Sequence, residues 1–311
     1  MRAFVFPGQG AQTIGMGKDL ADAYPAAKAV FDEVDEALGE KLSSLIWEGE
    51  IEELTLTANA QPALMATSMA AVRALEAEGV GISAASYVAG HSLGEYSALA
   101  ASGALSVADT ARLLRTRGRA MQEAVPVGEG AMAAILGLDL AAVQDVAAEA
   151  AGDGICQAAN DNDPAQVVVS GSKAAVERAV VIAKEKGAKR ALLLPVSAPF
   201  HCALMAPAAA VMAEALSEVT INTPSVPVVA NVVAEAVTDP AQIRALLVDQ
   251  VTGSVRWRES VMWMGAQGVT EAYEIGAGKA LSGMIKRIDR AIATQAVGTP
   301  DDVAAAAAAL K

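Results

Sequence analysis

The sequence predicts an α/β fold: a mostly parallel sheet with helices on both faces, interrupted by a small βαββαβ unit. Three observations carry this reading. Short apolar runs ending in tight turns alternate with helical patterns, as in a parallel sheet with crossover helices. Midway the rhythm changes to strand, helix, strand, strand, helix, strand, which is the ferredoxin-like order. Finally, 311 residues are enough for a main domain with an insertion, and the 53% hydrophobic but only 4% aromatic composition calls for a core of Ala, Val, Leu, Ile and Met.

The elements follow in order. Residues 3–6 are apolar and stop at Pro7-Gly8-Gln9-Gly10, a buried strand followed by a tight loop. Helical patterns cover 17–38 and 61–78, a second short strand covers 86–89 and ends at Gly90, and helices cover 93–102 and 107–123. In the inserted unit, strands are expected at 131–136, 155–159, 166–170 and 190–196, with helices at 140–151 and 173–186. The middle two strands are separated by the turn-rich Asn160-Asp161-Asn162-Asp163-Pro164. This divides the chain into a large domain (1–128 and 197–311) and a small one (129–196). Beyond Pro199, helices are expected at 206–219, 240–250 and 257–267, strands at 226–230 and 271–275, and an Ala-rich helix at 303–310.

Composition excludes several functions. A net charge of −13 argues against non-specific nucleic-acid binding, which needs a basic surface. Two cysteines, Cys156 and Cys202, are too few for a disulfide framework and have no metal-type spacing, so a reduced, cytoplasmic compartment is expected. The first residues are too short an apolar run for a signal peptide, and no stretch approaches the ~18 apolar residues of a membrane span.

Chemistry concentrates at Gly90-His91-Ser92-Leu93-Gly94, a GxSxG segment between a predicted strand and a predicted helix. A serine on such a strained turn projects its hydroxyl into a cleft, and glycines on either side avoid collision. The helix start supplies N–H groups for an oxyanion. Ser92 needs a base, and the chain has only two histidines. His91 adjoins Ser92, so its side chain should point elsewhere; His201 is the better base. Spacing does not choose a third member: Asp239, Asp249 or a backbone carbonyl would each orient the imidazole. The loop after the first strand would bring Gln9 near Ser92 at the strands' carboxyl ends. Of Arg112, Arg115, Arg117 and Arg119 on one helix, most should be solvated, with at most one entering the cleft to grip a carboxylate.

Phe6-Pro7-Gly8-Gln9-Gly10-Ala11-Gln12, Gly90-His91-Ser92-Leu93-Gly94-Glu95-Tyr96, Arg117-Gly118-Arg119-Ala120-Met121 and Ala198-Pro199-Phe200-His201 together resemble the malonyl-CoA:acyl-carrier-protein transacylase family, essentially from end to end. The resemblance implies a hydrolase-like α/β domain with a ferredoxin-like small domain. It implies Ser92 as nucleophile, His201 as base, the main-chain carbonyl of Gln250 as its orienter, and the N–H groups of Gln9 and Leu93 as the oxyanion hole. Arg117 would bind the malonyl carboxylate, and Phe200 would exclude an α-methyl group. Met121, His91 and Asn160 complete the substrate-binding set. The partners implied are malonyl-CoA and an acidic acyl carrier protein, with no metal or resident cofactor, no nucleic acid, no membrane and a monomeric enzyme of fatty-acid synthesis. Lys189, Arg190, Lys286 and Arg287 are candidates for docking the carrier protein or the CoA phosphates. The rival readings are a patatin-type serine lipid hydrolase, which pairs serine with aspartate, and a non-catalytic binder of carrier protein or acyl-CoA.

Overall fold

The computed structural model describes residues 1–196 and 198–311; the expected domain boundary at residue 197 lies outside the described residues. Strand β1 (Arg2–Phe6) is followed by helices α1 (Lys18–Ala23), α2 (Pro25–Leu38), α3 (Leu42–Glu48), α4 (Ile51–Thr55) and α5 (Thr57–Ala77), then β2 (Tyr87–Gly90), α6 (Leu93–Ala101) and α7 (Val107–Glu123). The helix read over 17–38 is two helices. Pro25 opens α2 and drives Tyr24 to φ −126° and ψ 112°, because a proline ring disfavours helical backbone in the residue before it. Helix α5 starts earlier than its pattern suggested, and Pro62 lies inside it. Proline has no N–H for the carbonyl four residues back, so Ala58 O is left open, and Arg115 Nη1 donates to it at 2.7 Å.

The small unit comprises β3 (Gly130–Leu136), α8 (Leu140–Ala151), β4 (Cys156–Asp163), β5 (Gln166–Ser172), α9 (Lys173–Glu185) and β6 (Arg190–Leu193). Its sheet runs β4-β5-β3-β6, antiparallel throughout, in the ferredoxin-like arrangement. Strand alternation divides its faces: Ala133 and Ile135 pack with Val143, Val146, Val167 and Val176 under the helices. Met132, Ala134 and Val168 turn the other way and join the main core.

The chain then continues through α10 (Ala206–Ser217), β7 (Val228–Val229), β8 (Ala236–Val237), α11 (Pro240–Thr252), α12 (Trp257–Ala266), β9 (Glu271–Ile275), α13 (Ala280–Ile288), β10 (Ala293–Val297) and α14 (Pro300–Leu310). The large sheet runs β10-β9-β1-β2-β7-β8, parallel except at β8. Strands β8 and β10 and helices α3 and α4 had no clear sequence signal: β8 has two residues, and β10 is a half-exposed edge strand. With β1 and β2 adjacent in register from Ala3↔Tyr87 to Phe6↔Gly90, the loop after β1 lies beside the turn after β2. Among the described residues, no helix is long and apolar enough to cross a membrane.

One local reading fails instructively. Asn160-Asp161-Asn162-Asp163 is strand rather than turn, and β4 runs through to Asp163. All four residues are buried, and each is matched by the large domain or the β-ladder. Asp161 N donates to Val255 O at 2.9 Å, and its carboxylate accepts from Arg258 Nε at 3.1 and 2.9 Å. Asp163 accepts from Arg287 Nε at 2.7 Å, and Asn162 Oδ1 meets His91 Nε2 at 2.8 Å. Such partners outweigh the turn preference of Asn and Asp, which is local.

Burial pushes the Asp161 carboxyl upward, and Arg258 opposes that shift. Arg258→Ala should therefore leave a buried carboxylate unpaired and destabilise the protein by about 2–4 kcal/mol. Urea melts will show a lower midpoint, with part of the loss recovered when Asp161→Asn is added.

Candidate active site

Two glycines permit the turn between β2 and α6. A β-carbon on Gly90 would lie 1.9 Å from Gly94 O, and one on Gly94 would lie 2.3 Å from Phe6 O, so neither position admits a side chain. Between them Ser92 sits at φ 52° and ψ −109°, a backbone conformation rarely adopted by residues other than glycine. The strain is held from outside the turn. Ser92 N donates to Asn231 Oδ1 at 2.8 Å, Asn231 Nδ2 donates to Gly90 O at 2.7 Å, and Gln250 Nε2 donates to Ser92 O at 3.1 Å. Leu93, the first residue of α6, has an N–H with no intrahelical acceptor, and Gln9 lines the same cleft.

His201 also has positive φ, at 57°. Its Nδ1 lies 2.9 Å from Gln250 O and 3.2 Å from Gly253 O. A carbonyl only accepts, so Nδ1 carries the proton; Nε2 is left to accept from Ser92 Oγ at 2.8 Å. Gln250 O is open because it belongs to the last turn of α11, where carbonyls lack helical partners and carry partial negative charge. Neither Asp239 nor Asp249 takes this role: Asp239 caps α11 through Gln242 N, and Asp249 is exposed. Ser92 is thus paired with histidine rather than with aspartate, unlike the patatin-type arrangement.

Helix α7 presses its Gly118 against the start of α5, where a β-carbon would lie 2.6 Å from both Thr57 O and Ala58 Cα. This close approach carries Arg117 into the cleft, where it is 1% exposed. Its Nη1 donates to Gln61 Oε1 at 2.7 Å, and its Nη2 donates to Gln250 Oε1 at 2.8 Å and Ser92 Oγ at 3.0 Å. The guanidinium also lies over the Tyr96 ring, 5.6 Å from its centroid. Of the other arginines on α7, Arg115 is also buried, contrary to the expected solvated face, but it serves Ala58, Asn59 and Glu40 instead of the cleft.

The acyl transferase domain family matches residues 3–278. The chain belongs to this family. It is 51% identical over 310 residues to the malonyl CoA-acyl carrier protein transacylase of Bacillus subtilis (strain 168), covering 99% of this chain and 97% of that one. Among solved structures, the acyl-carrier-protein-S-malonyltransferase of Bartonella henselae superimposes with a TM-score of 0.97 at 56% identity, covering 99% of each chain. A malonyl-transacylase in complex with a type II PKS acyl-carrier protein matches with a TM-score of 0.96 at 44% identity, covering 99% of both chains.

In this acyl transferase, a cleft of about 440 Å³ lies between the two sheets. It is lined by all the substrate-binding candidates named from the sequence: Arg117, Met121, Phe200, His91 and Asn160. Asn160 Oδ1 is buried without a partner among the described residues, an open acceptor on a residue that lines the cleft. His91 turns away from Ser92 towards Asn162, and burial lowers its pKa. The Gln9 side chain donates to Thr57 Oγ1 at 3.2 Å, so any contribution to the oxyanion hole comes from its main chain. Lys189 and Arg190 are exposed at edge strand β6; Lys286 is exposed on α13, which packs at the opposite edge near β4. The groups flank a four-stranded sheet about 14 Å across instead of forming one patch, and Arg287 is already engaged with Asp163. Sequence reasoning missed Asn231 and Gln61 and assigned no role to Glu95. Isolated amides carry no spacing signal, and Glu95 was visible only as part of the elbow motif.

Burial, reinforced by the charge of Arg117, lowers the His201 pKa to about 3, so the imidazole stays neutral and able to take the serine proton. The acid limb of kcat/KM for acyl-enzyme formation should therefore lie well below ~6.5, the ordinary histidine value. A pH–rate profile with its limb at or above that value would contradict this environment. The same depression makes unfolding easier as pH falls below ~6.5, because only the unfolded histidine then takes up a proton.

Proposed function

We propose that this chain is a malonyl-CoA:acyl-carrier-protein transacylase, transferring a malonyl group through an ester on Ser92. The observation that carries this reading is the buried Arg117 guanidinium 3.0 Å from the Ser92 hydroxyl. An acyl group attached to that oxygen meets a cation, as a malonyl group with its free carboxylate requires and an ordinary fatty acyl chain does not. The names of the relatives agree with it, and the complex of a related transacylase supports the acyl carrier protein as partner.

In the first half-reaction Ser92 Oγ bonds to the thioester carbonyl carbon and its proton passes to His201 Nε2. The oxyanion is stabilised by the N–H groups of Leu93 and Gln9. The carbon–sulfur bond then breaks, and His201 returns the proton to the CoA sulfur. Gln250 O holds the imidazolium meanwhile, helped by the negative end of α11. In the second half-reaction the carrier protein's phosphopantetheine thiol attacks the malonyl ester and the steps run in reverse. No resident metal or cofactor is called for, because the thioester is already activated. The ring of Phe200 against the acyl site disfavours an α-methyl group.

Incubation with malonyl-CoA should add one malonyl group to Ser92, detected by peptide mass spectrometry, with slow release to water and rapid release to a carrier-protein thiol. Arg117→Ala should weaken malonyl loading relative to acetyl loading by about 2–5 kcal/mol in kcat/KM, the range for losing a desolvated charge pair. Equal losses for the two acyl groups would remove the assignment. Arg190→Glu with Lys286→Glu should raise KM for carrier protein while leaving malonyl-CoA loading intact; unchanged carrier-protein kinetics would exclude both edges as the docking surface.

A further inference from the structure

Arg117 presents an unusual electrostatic problem. It is fully buried, yet among the described residues no carboxylate lies within ion-pairing distance of it. A direct partner would occupy the guanidinium and compete with an acidic acyl group. A nearby acid is present, one amide away. Glu95, 2% exposed on the first turn of α6, accepts from Gln250 Nε2 at 2.7 Å, and the same amide's Oε1 accepts from Arg117 Nη2 at 2.8 Å.

The donor inventory sets the direction of this chain. Guanidinium nitrogens only donate and a carboxylate oxygen only accepts, so the Gln250 amide between them has one favourable orientation. The oxygen that accepts from Gln250, Glu95 Oε2, also accepts from Asn231 N at 3.0 Å. That bond fixes the residue whose side chain spans Ser92 N and Gly90 O. One oxygen atom therefore anchors both the strained turn and the amide facing Arg117.

We propose that Glu95 is a positioning residue for acyl selection: through Gln250 it orients Arg117 for the acyl carboxylate while leaving the guanidinium free, and through Asn231 it holds Ser92. This rests on the reading that Arg117 grips the malonyl carboxylate. What the device needs is an acceptor oxygen at the Oε2 position. Burial raises the Glu95 carboxyl to about 7, and a protonated carboxyl or a glutamine keeps such an oxygen.

The test compares malonyl and acetyl loading from CoA in the full-length enzyme carrying Glu95→Gln, Glu95→Leu, Gln250→Leu or Arg117→Ala. Arg117→Ala must first abolish malonyl preference; if it does not, the reading of Arg117 fails and the inference goes with it. Given that result, Glu95→Leu, as a single variant, should lower kcat for both acyl groups and reduce malonyl preference about tenfold relative to wild type, while Glu95→Gln stays near wild type. Gln250→Leu keeps the main-chain carbonyl under His201 and should lose about tenfold of malonyl preference with a smaller effect on acetyl loading. It also serves if Glu95→Leu does not fold. Malonyl preference unchanged in Gln250→Leu, or equally poor in Glu95→Gln and Glu95→Leu, would overturn the proposal.

Discussion

A serine held at φ 52° is a costly piece of backbone, on the order of 1–3 kcal/mol, and it persists only where surrounding contacts over-determine it. Here those contacts come from far along the chain. Glycines 90 and 94 let the turn close, while Asn231 and Gln250 pin the Ser92 peptide from both sides. The rest of the catalytic arrangement depends on that turn. It points the hydroxyl at His201 and Arg117, and it starts α6 so that the Leu93 N–H has no intrahelical acceptor. The imidazole is held in turn by a helix end, where unpaired carbonyls are unavoidable. An acid in that position is unnecessary, because the carbonyls of Gln250 and Gly253 fix the tautomer and α11 contributes its terminal charge.

The buried charges follow a consistent logic. Arg117 is solvated by amide oxygens, the serine hydroxyl and the Tyr96 ring rather than by a carboxylate. Amides satisfy a guanidinium without neutralising it, so the cleft keeps a positive charge beside Ser92. Arg115, two residues away on the same helix, is built in the opposite way: a carbonyl freed by Pro62, an asparagine and a glutamate occupy it. One arginine is taken up by the fold and its near neighbour lines the cleft, and the difference lies in what surrounds each.

The small sheet contributes more than a wall to the cleft. Its strand β4 ends in four polar residues that lock onto the large domain through Val255, His91, Arg258 and Arg287. The His91 contact joins the residue beside the nucleophile to the opposite domain. A short hydrogen bond thereby ties the small sheet to the residue beside Ser92.

Much of this was legible in the sequence because it is local. Apolar runs stopped by glycine and proline marked β1 and β2, and the order of elements from Gly130 onward identified the ferredoxin-like unit. The GxSxG segment in its strand–turn–helix context marked Ser92, and a chain with two histidines left His201 as the better base. What the sequence could not decide was long-range pairing. Asn160 to Asp163 read as a turn because turn propensity is a property of neighbours, whereas their burial depends on residues about 100 positions away. Spacing left the partner of His201 open between two aspartates and a carbonyl, because a main-chain carbonyl has no side-chain signature. The helix pattern likewise did not choose which α7 arginine enters the cleft, and Arg117 was named only through the family resemblance; the contact of Gly118 with Ala58 is what carries it there. The sequence by itself determined most of the elements and singled out Ser92 in its strand–turn–helix context, through short-range sterics and periodicity. The tertiary structure alone decided which buried polar groups satisfy one another, since each unpaired one would cost more than any local preference can offset.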